Sequence, residues 1–99
     1  NGITQALAKE LGPKSIRVNA VCPVYVETPG LLEALENPDA PTKEQNTSKY
    51  LKEFGESNAA LERLPRGSEV ADLVLYLASS NASAITGQCI NVDCGVLPQ

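Results

Sequence analysis

The sequence predicts an α/β fold built on a parallel sheet, of which this 99-residue chain supplies only a part. Three observations lead there. An amphipathic helical pattern over residues 1–11 passes through a Gly-Pro break into the short, β-branched, apolar segment 16–22. A helix followed at once by a strand apolar on both faces is the second half of a β-α-β unit, the connection parallel strands require. A second helical pattern, 69–78, leads through a Thr-Gly turn to another short apolar strand at 88–93. Two strands are too few for a stable open sheet, which usually has about five or six. That shortfall, and a chain that opens on Asn1 and contains no Met, predict a portion of a longer protein.

Each element has a local reason. In the first helix Ile3, Ala6, Leu7 and Leu11 fall at i, i+3, i+4 and i+8, with Gln5, Lys9 and Glu10 opposite, and Gly12-Pro13 stops it. Because the pattern is in full stride within three residues, the helix is expected to begin upstream; Asn1 as a true N-cap is the alternative. The strand 16–22 is expected to halt at Pro23. Pro29, Pro38 and Pro41, with Gly30, Asn37 and Asp39, then isolate the cluster Leu31, Leu32, Ala34 and Leu35, a loop with a turn or two of helix. Residues 42–64 read as a mostly polar helical stretch whose apolar positions are Tyr50, Leu51, Phe54, Ala60, Leu61 and Leu64, interrupted at Gly55. So long and weakly apolar an excursion suits a flap over the surface.

Residues 65–67 make a turn, and Ser68 is the expected N-cap of the helix 69–78, with Glu69 in the first turn where the dipole favours it. Val70, Leu73, Val74, Leu77 and Ala78 form its stripe. Ala71 and Leu75 widen that stripe, so this helix is expected to be buried on more than one side. Thr86-Gly87 turns the chain into the strand 88–93, where Cys89, Ile90 and Val92 are the apolar residues.

Composition excludes several functions. Eight Lys+Arg against twelve Asp+Glu give a net charge of −4, the wrong sign for a surface that neutralises nucleic-acid phosphates. With no His, and with Cys22, Cys89 and Cys94 at no metal-binding spacing, a zinc site and a Ser-His-Asp triad are out of reach of this chain. The three thiols sit in or beside strands and read as small core residues. An odd cysteine count and no apolar run near the ~20 residues of a membrane span predict a cytoplasmic protein that does not enter the bilayer.

The order of several motifs carries a resemblance. Ala6-Leu7-Ala8-Lys9-Glu10-Leu11 is followed by Ile16-Arg17-Val18-Asn19-Ala20-Val21-Cys22-Pro23 and then Val26-Glu27-Thr28. Arg63-Leu64-Pro65-Arg66-Gly67-Ser68-Glu69-Val70-Ala71, Tyr76-Leu77-Ala78-Ser79 and Ile85-Thr86-Gly87-Gln88 come after them. Nearly the whole chain resembles the C-terminal part of the short-chain dehydrogenase/reductase family, least so from Leu31 to Glu62. The resemblance implies a Rossmann-type, doubly wound parallel sheet. It implies residues 1–99 as the C-terminal part of one domain, with 29–64 as the substrate lid. It also implies an NAD- or NADP-dependent oxidoreductase that interconverts a secondary alcohol and a ketone, working as a homodimer or homotetramer.

By the same resemblance residues 1–11 are the back half of the helix that carries the family's Tyr-x-x-x-Lys pair. The pair itself is absent, because Tyr25, Tyr50 and Tyr76 are followed four residues on by Pro29, Phe54 and Ser80. The family's Tyr is the general acid/base at the carbonyl oxygen, and its Lys lowers the Tyr pKa. No G-x-x-x-G-x-G cluster is present either, so the chain alone is expected not to catalyse.

What the resemblance does assign is the turn after the first strand: Pro23, Val24, Val26 and Thr28 would face the nicotinamide. Val24 replaces the family's Gly, so either the backbone there is ordinary or the cofactor loop is altered. Thr28 could also cap a helix opening at Pro29. In the lid, Leu31, Leu32, Leu35, Tyr50 and Phe54 could wall a small-molecule substrate pocket, or simply pack the lid down. Asp93 and Gly95 match an Asp-Gly-Gly that supports the last strand, with Cys94 in the middle place, and Tyr76 reads as core or subunit interface. Two rivals stand beside this reading: a truncated, non-catalytic interaction or oligomerisation module, and an epimerase or dehydratase relative on the same nucleotide fold.

Overall fold

In the computed structural model residues 1–26 and 47–97 are described. Two short strands, β1 (Ala20–Pro23) and β2 (Cys89–Val92), pair in parallel with Ala20 opposite Cys89 and Pro23 opposite Val92. Around them lie α1 (Gly2–Leu11), α2 (Thr47–Asn58) and α3 (Gly67–Ala78), with 3-10 turns at Gly12–Lys14 and Ser80–Ala82. Helix α3 lies against β1.

The first strand is shorter and later than the apolar run 16–22 predicts, and Pro23 lies inside it. The ladder can extend only as far as its partner, and upstream of Ala20 side chains share the pairing with one backbone bond. The Val18 amide donates to Thr86 Oγ1 at 3.0 Å and the Asn19 side-chain amide to the Ile85 carbonyl at 3.0 Å. In return the Gln88 amide donates to Asn19 Oδ1 at 3.1 Å, and the Gly87 amide to the Val18 carbonyl at 2.7 Å. Pro23 is tolerated as the last ladder residue, where a missing N–H costs least. The Arg17 guanidinium reaches the carbonyls of Ile85 and Ser79, both at 3.4 Å, and so brings a cation to the C-terminal end of α3.

Helix α1 ends at the Gly-Pro break as expected, and the chain reverses through Ser15, which takes φ 60°. The Asn1 carbonyl accepts from Gln5 at 3.0 Å, while its side chain makes no cap bond. At α3 the expected cap is displaced: Arg66, not Ser68, is the N-cap, and the Glu69 carboxylate reaches back to the Arg66 amide at 2.8 Å. This is the returning half of a capping box, and it starts the helix at Gly67.

Gly55 does not interrupt α2, contrary to the expectation. The glycine answers a packing need: a Cβ there would stand 3.0 Å from the backbone of Arg63 and Leu64, where the chain folds back along the helix. The fold-back is fixed by bonds from Ala59 to the Gly55 carbonyl and from Glu62 to the Ala59 carbonyl, with Glu62 at φ 58°. The C-terminal turn then clamps it. Asp93 is buried, and its two carboxylate oxygens accept from the amides of Gly95 and Leu97, both at 2.9 Å. Ala60 and Leu61 donate to the carbonyls of Gly95 and Cys94. Gly95, at φ 85°, presses so close to Ala60 that no side chain fits. Cys94 takes φ 54°, the left-handed region in which the family's glycine would be at ease.

The buried core is built from small and medium residues, Ala8, Leu51, Ala59, Leu77 and Ala82, with Pro65 fully enclosed. In α3 only Leu77 is buried; Val74, Leu75 and Tyr76 are 48%, 69% and 46% exposed. The expectation of a helix buried on more than one side is therefore corrected. A two-stranded ladder covers one stripe of α3 and leaves the flanking stripe open. Ile3 on α1 is likewise exposed. Substituting Gly55→Ala is expected to destabilise the fold by about 1–3 kcal/mol through overpacking against fixed backbone. Gly2→Ala, which meets nothing within 4 Å, should be neutral or stabilise by up to about 1 kcal/mol. Urea denaturation of the two variants separates these outcomes.

Candidate functional site

The turn leaving β1 exposes Pro23 and half-buries Val24, Tyr25 and Val26. Of the two alternatives raised by Val24, the first holds. The non-glycine residues at positive φ among the described residues are Ser15, Glu62 and Cys94, so Val24 lies in ordinary backbone space, as a β-branched residue should. The Val26 side chain faces the start of α3 at Gly67. Thr28, Leu31, Leu32 and Leu35 lie outside the described residues.

Tyr50 and Phe54 are four residues apart on α2 and so share a face of that helix. Both meet Tyr25. The Tyr25 ring stands edge-on to Phe54 with centroids 5.0 Å apart and planes at 77°, and edge-on to Tyr50 at 6.3 Å and 67°. Tyr50 and Phe54 close the triangle at 6.5 Å. Such edge-to-face pairs are the favoured arrangement of ring quadrupoles, worth about 0.5–1.5 kcal/mol each beyond area burial. A hydrogen bond to Tyr25, helped by burial, pushes the Tyr50 phenol above its ordinary value, so at neutral pH it is a donor and not a base. Two expected substrate residues are thus joined to the turn by one the sequence reading did not single out. The available signal was Tyr25 set between two valines, opposite nothing the sequence could name.

Between α2 and α3 a second constellation organises the backbone. Arg63 grips Glu69 with two bonds of 2.7 and 2.8 Å, and Arg63 also reaches the Leu64 carbonyl at 3.2 Å. The Arg63 contact, joined by the Arg66 amide, holds the Glu69 carboxyl at about 2, well below the usual carboxylate range. The same bond raises Arg63. Both side chains are partly exposed, so the pair steadies the linker more than it adds to overall stability. Cys22, Cys89 and Cys94 are free thiols and half-buried. Among the described residues no cluster of His, Cys, Asp and Glu could hold a metal ion, and no helix is long and apolar enough to cross a membrane.

A helix leading into a parallel strand, a crossing to a second helix against that strand, and a return to the adjacent strand together define part of a Rossmann-type α/β domain. The family model described as Enoyl-(Acyl carrier protein) reductase matches residues 1–97. The chain is 40% identical over 101 residues to the 3-oxoacyl-(acyl-carrier-protein) reductase of Thermotoga maritima, covering 97% of this chain and 34% of that protein. Among solved structures, the ligand-free aldohexose dehydrogenase of Thermoplasma acidophilum superposes with a TM-score of 0.79 at 35% identity, over 99% of this chain and 37% of that one. An actinorhodin polyketide ketoreductase variant with NADPH does so with a TM-score of 0.80 at 35% identity, again over 99% of this chain and 37% of that one. This chain belongs to the short-chain dehydrogenase/reductase family, and it spans about a third of the length of the curated relatives it matches.

The Arg63–Glu69 pair gives a pH signature. A carboxyl whose pKa is depressed by folding stabilises the fold above its unfolded value, near 4.5, and loses that contribution as pH falls toward 2. Glu69→Gln is therefore expected to lower the melting temperature at pH 7 and to flatten the decline between pH 4.5 and 2 relative to wild type. Thermal melts across that range check it.

Proposed function

We propose that the complete protein is an NAD- or NADP-dependent oxidoreductase that interconverts a secondary alcohol and a ketone. In it this chain supplies the nicotinamide-facing turn and the substrate lid. The observation that supports this is the aromatic triangle, which packs Tyr50 and Phe54 of the lid helix onto Tyr25 of the turn after β1. It would form one wall of a substrate pocket beside the segment that would hold the cofactor. The turn suits a nicotinamide: exposed Pro23 and half-buried Val24 and Val26 offer an apolar shelf for one ring face, in a backbone that carries no strain at Val24. Thr28 would donate to or accept from the carboxamide, which selects the face that delivers hydride. When bound, the cofactor supplies the hydride.

The lid spans 29–64 in this reading, with Leu31, Leu32 and Leu35 completing the wall that Tyr50 and Phe54 begin. The proton partner of the hydride, the family's Tyr and Lys, is not in these 99 residues, so the chain by itself is inactive. The complete protein works in the cytoplasm, where three free thiols persist, and as a homodimer or homotetramer. The exposed apolar residues of α3, Val74, Leu75 and Tyr76, support self-association. The same residues favour the second reading, a non-catalytic interaction module.

Turnover separates the two. The complete protein is expected to bind NADPH or NADH and oxidise it with a ketone present; a complete protein that binds neither supports the module. Thr28→Val should raise the cofactor KM roughly 2- to 12-fold, the worth of one hydrogen bond, with an unchanged melting temperature. A lowered melting temperature at constant KM would make Thr28 a helix cap only.

A further inference from the structure

We infer that the substrate carries an aromatic ring, seated against Tyr25, Tyr50 and Phe54. The inference rests on the oxidoreductase reading above and goes beyond it by naming the substrate class. The chain has three Tyr, one Phe and no Trp, and three of these four aromatic residues converge on one spot. None of them fills the core, which is made of alanine and leucine instead. The cluster stays half-buried, so part of the surface of rings of high burial value is left uncovered beside the turn.

The three rings lie within 6.5 Å of one another, centroid to centroid, which makes the ring surfaces the recognition feature. A fourth ring adds to the edge-to-face contacts of Tyr25 by the same quadrupole geometry that builds them. A saturated group of the same size gains only area burial, which leucine would provide equally well. The rings are also held in place before any ligand arrives. One end of α2 is pinned by the close approach at Gly55 and, through Ala60 and Leu61, by the C-terminal turn. Little ordering remains to be done on binding. Because Tyr25 follows Val24 directly, a ring on the triangle puts an adjoining carbonyl within a few atoms of the proposed nicotinamide shelf.

The test is reduction by the complete enzyme of two ketones of identical skeleton, 1-phenylpropan-2-one and 1-cyclohexylpropan-2-one. In both, NADPH gives hydride to the carbonyl carbon, a proton goes to the oxygen, and NADP⁺ and the secondary alcohol leave. The methylene keeps the carbonyl electronically alike in the pair. We expect kcat/KM to favour the phenyl ketone roughly 2- to 12-fold, the range for one aromatic pair. Phe54→Leu should bring the ratio to about one, and Tyr76→Phe, outside the triangle, should keep it. A wild-type ratio of one with both ketones reduced overturns the aromatic assignment and leaves the oxidoreductase standing. NADPH binding with neither ketone reduced does the same. No binding of either NADPH or NADH overturns both. The wild-type ratio decides by itself, so a Phe54→Leu protein that fails to fold does not blunt the test.

Discussion

The parallel ladder between β1 and β2 is the constraint on which the other features depend. It pairs residues 69 positions apart, Ala20 with Cys89, and does so over four residues only. So short a ladder would slip in register if backbone bonds alone set it. Asn19 and Thr86 prevent this, because each matches a side-chain group to a backbone partner on the opposite segment just before the ladder begins. With register fixed there, Arg17 meets the end of α3, the turn after β1 meets α2, and the turn after β2 meets the fold-back behind α2.

Much of this was legible in the sequence, and the misses share a cause. Helix α1, its stop at Gly12 and the strand at Cys89–Val92 follow from patterns within a dozen residues, and the supporting role of Asp93 and Gly95 from the family resemblance. What sequence spacing misplaced was decided by partners far along the chain. Residues 16–19 have the composition of a strand, yet Val18 and Asn19 bond to a turn 66 to 69 positions away. Gly55 looked like a breaker because a glycine's use for close approach shows only when the second backbone is in place. Ser68 is the better capping residue by propensity, and Glu69 overrode it by reaching the Arg66 amide. Of the candidate site, Tyr50 and Phe54 were visible as a helical pair; Tyr25 was not, since nothing local ties it to them.

The two ends of α2 are treated differently. Toward the C-terminus it is held by backbone, through Gly55, Ala60 and Leu61, in contacts too close for a side chain to intervene. Nearer its N-terminus it is held by side chains, Tyr50 and Phe54 against Tyr25. The helix therefore has one end fixed by backbone and one held by side chains.

Position 94 gives the C-terminal turn an evolutionary margin. Its backbone is left-handed, and the turn uses only its carbonyl, which accepts from Leu61. A single drift to glycine would relieve strain of order 1 kcal/mol without removing a hydrogen bond. Cys94 thus leaves the turn a stabilising step that a single substitution could take.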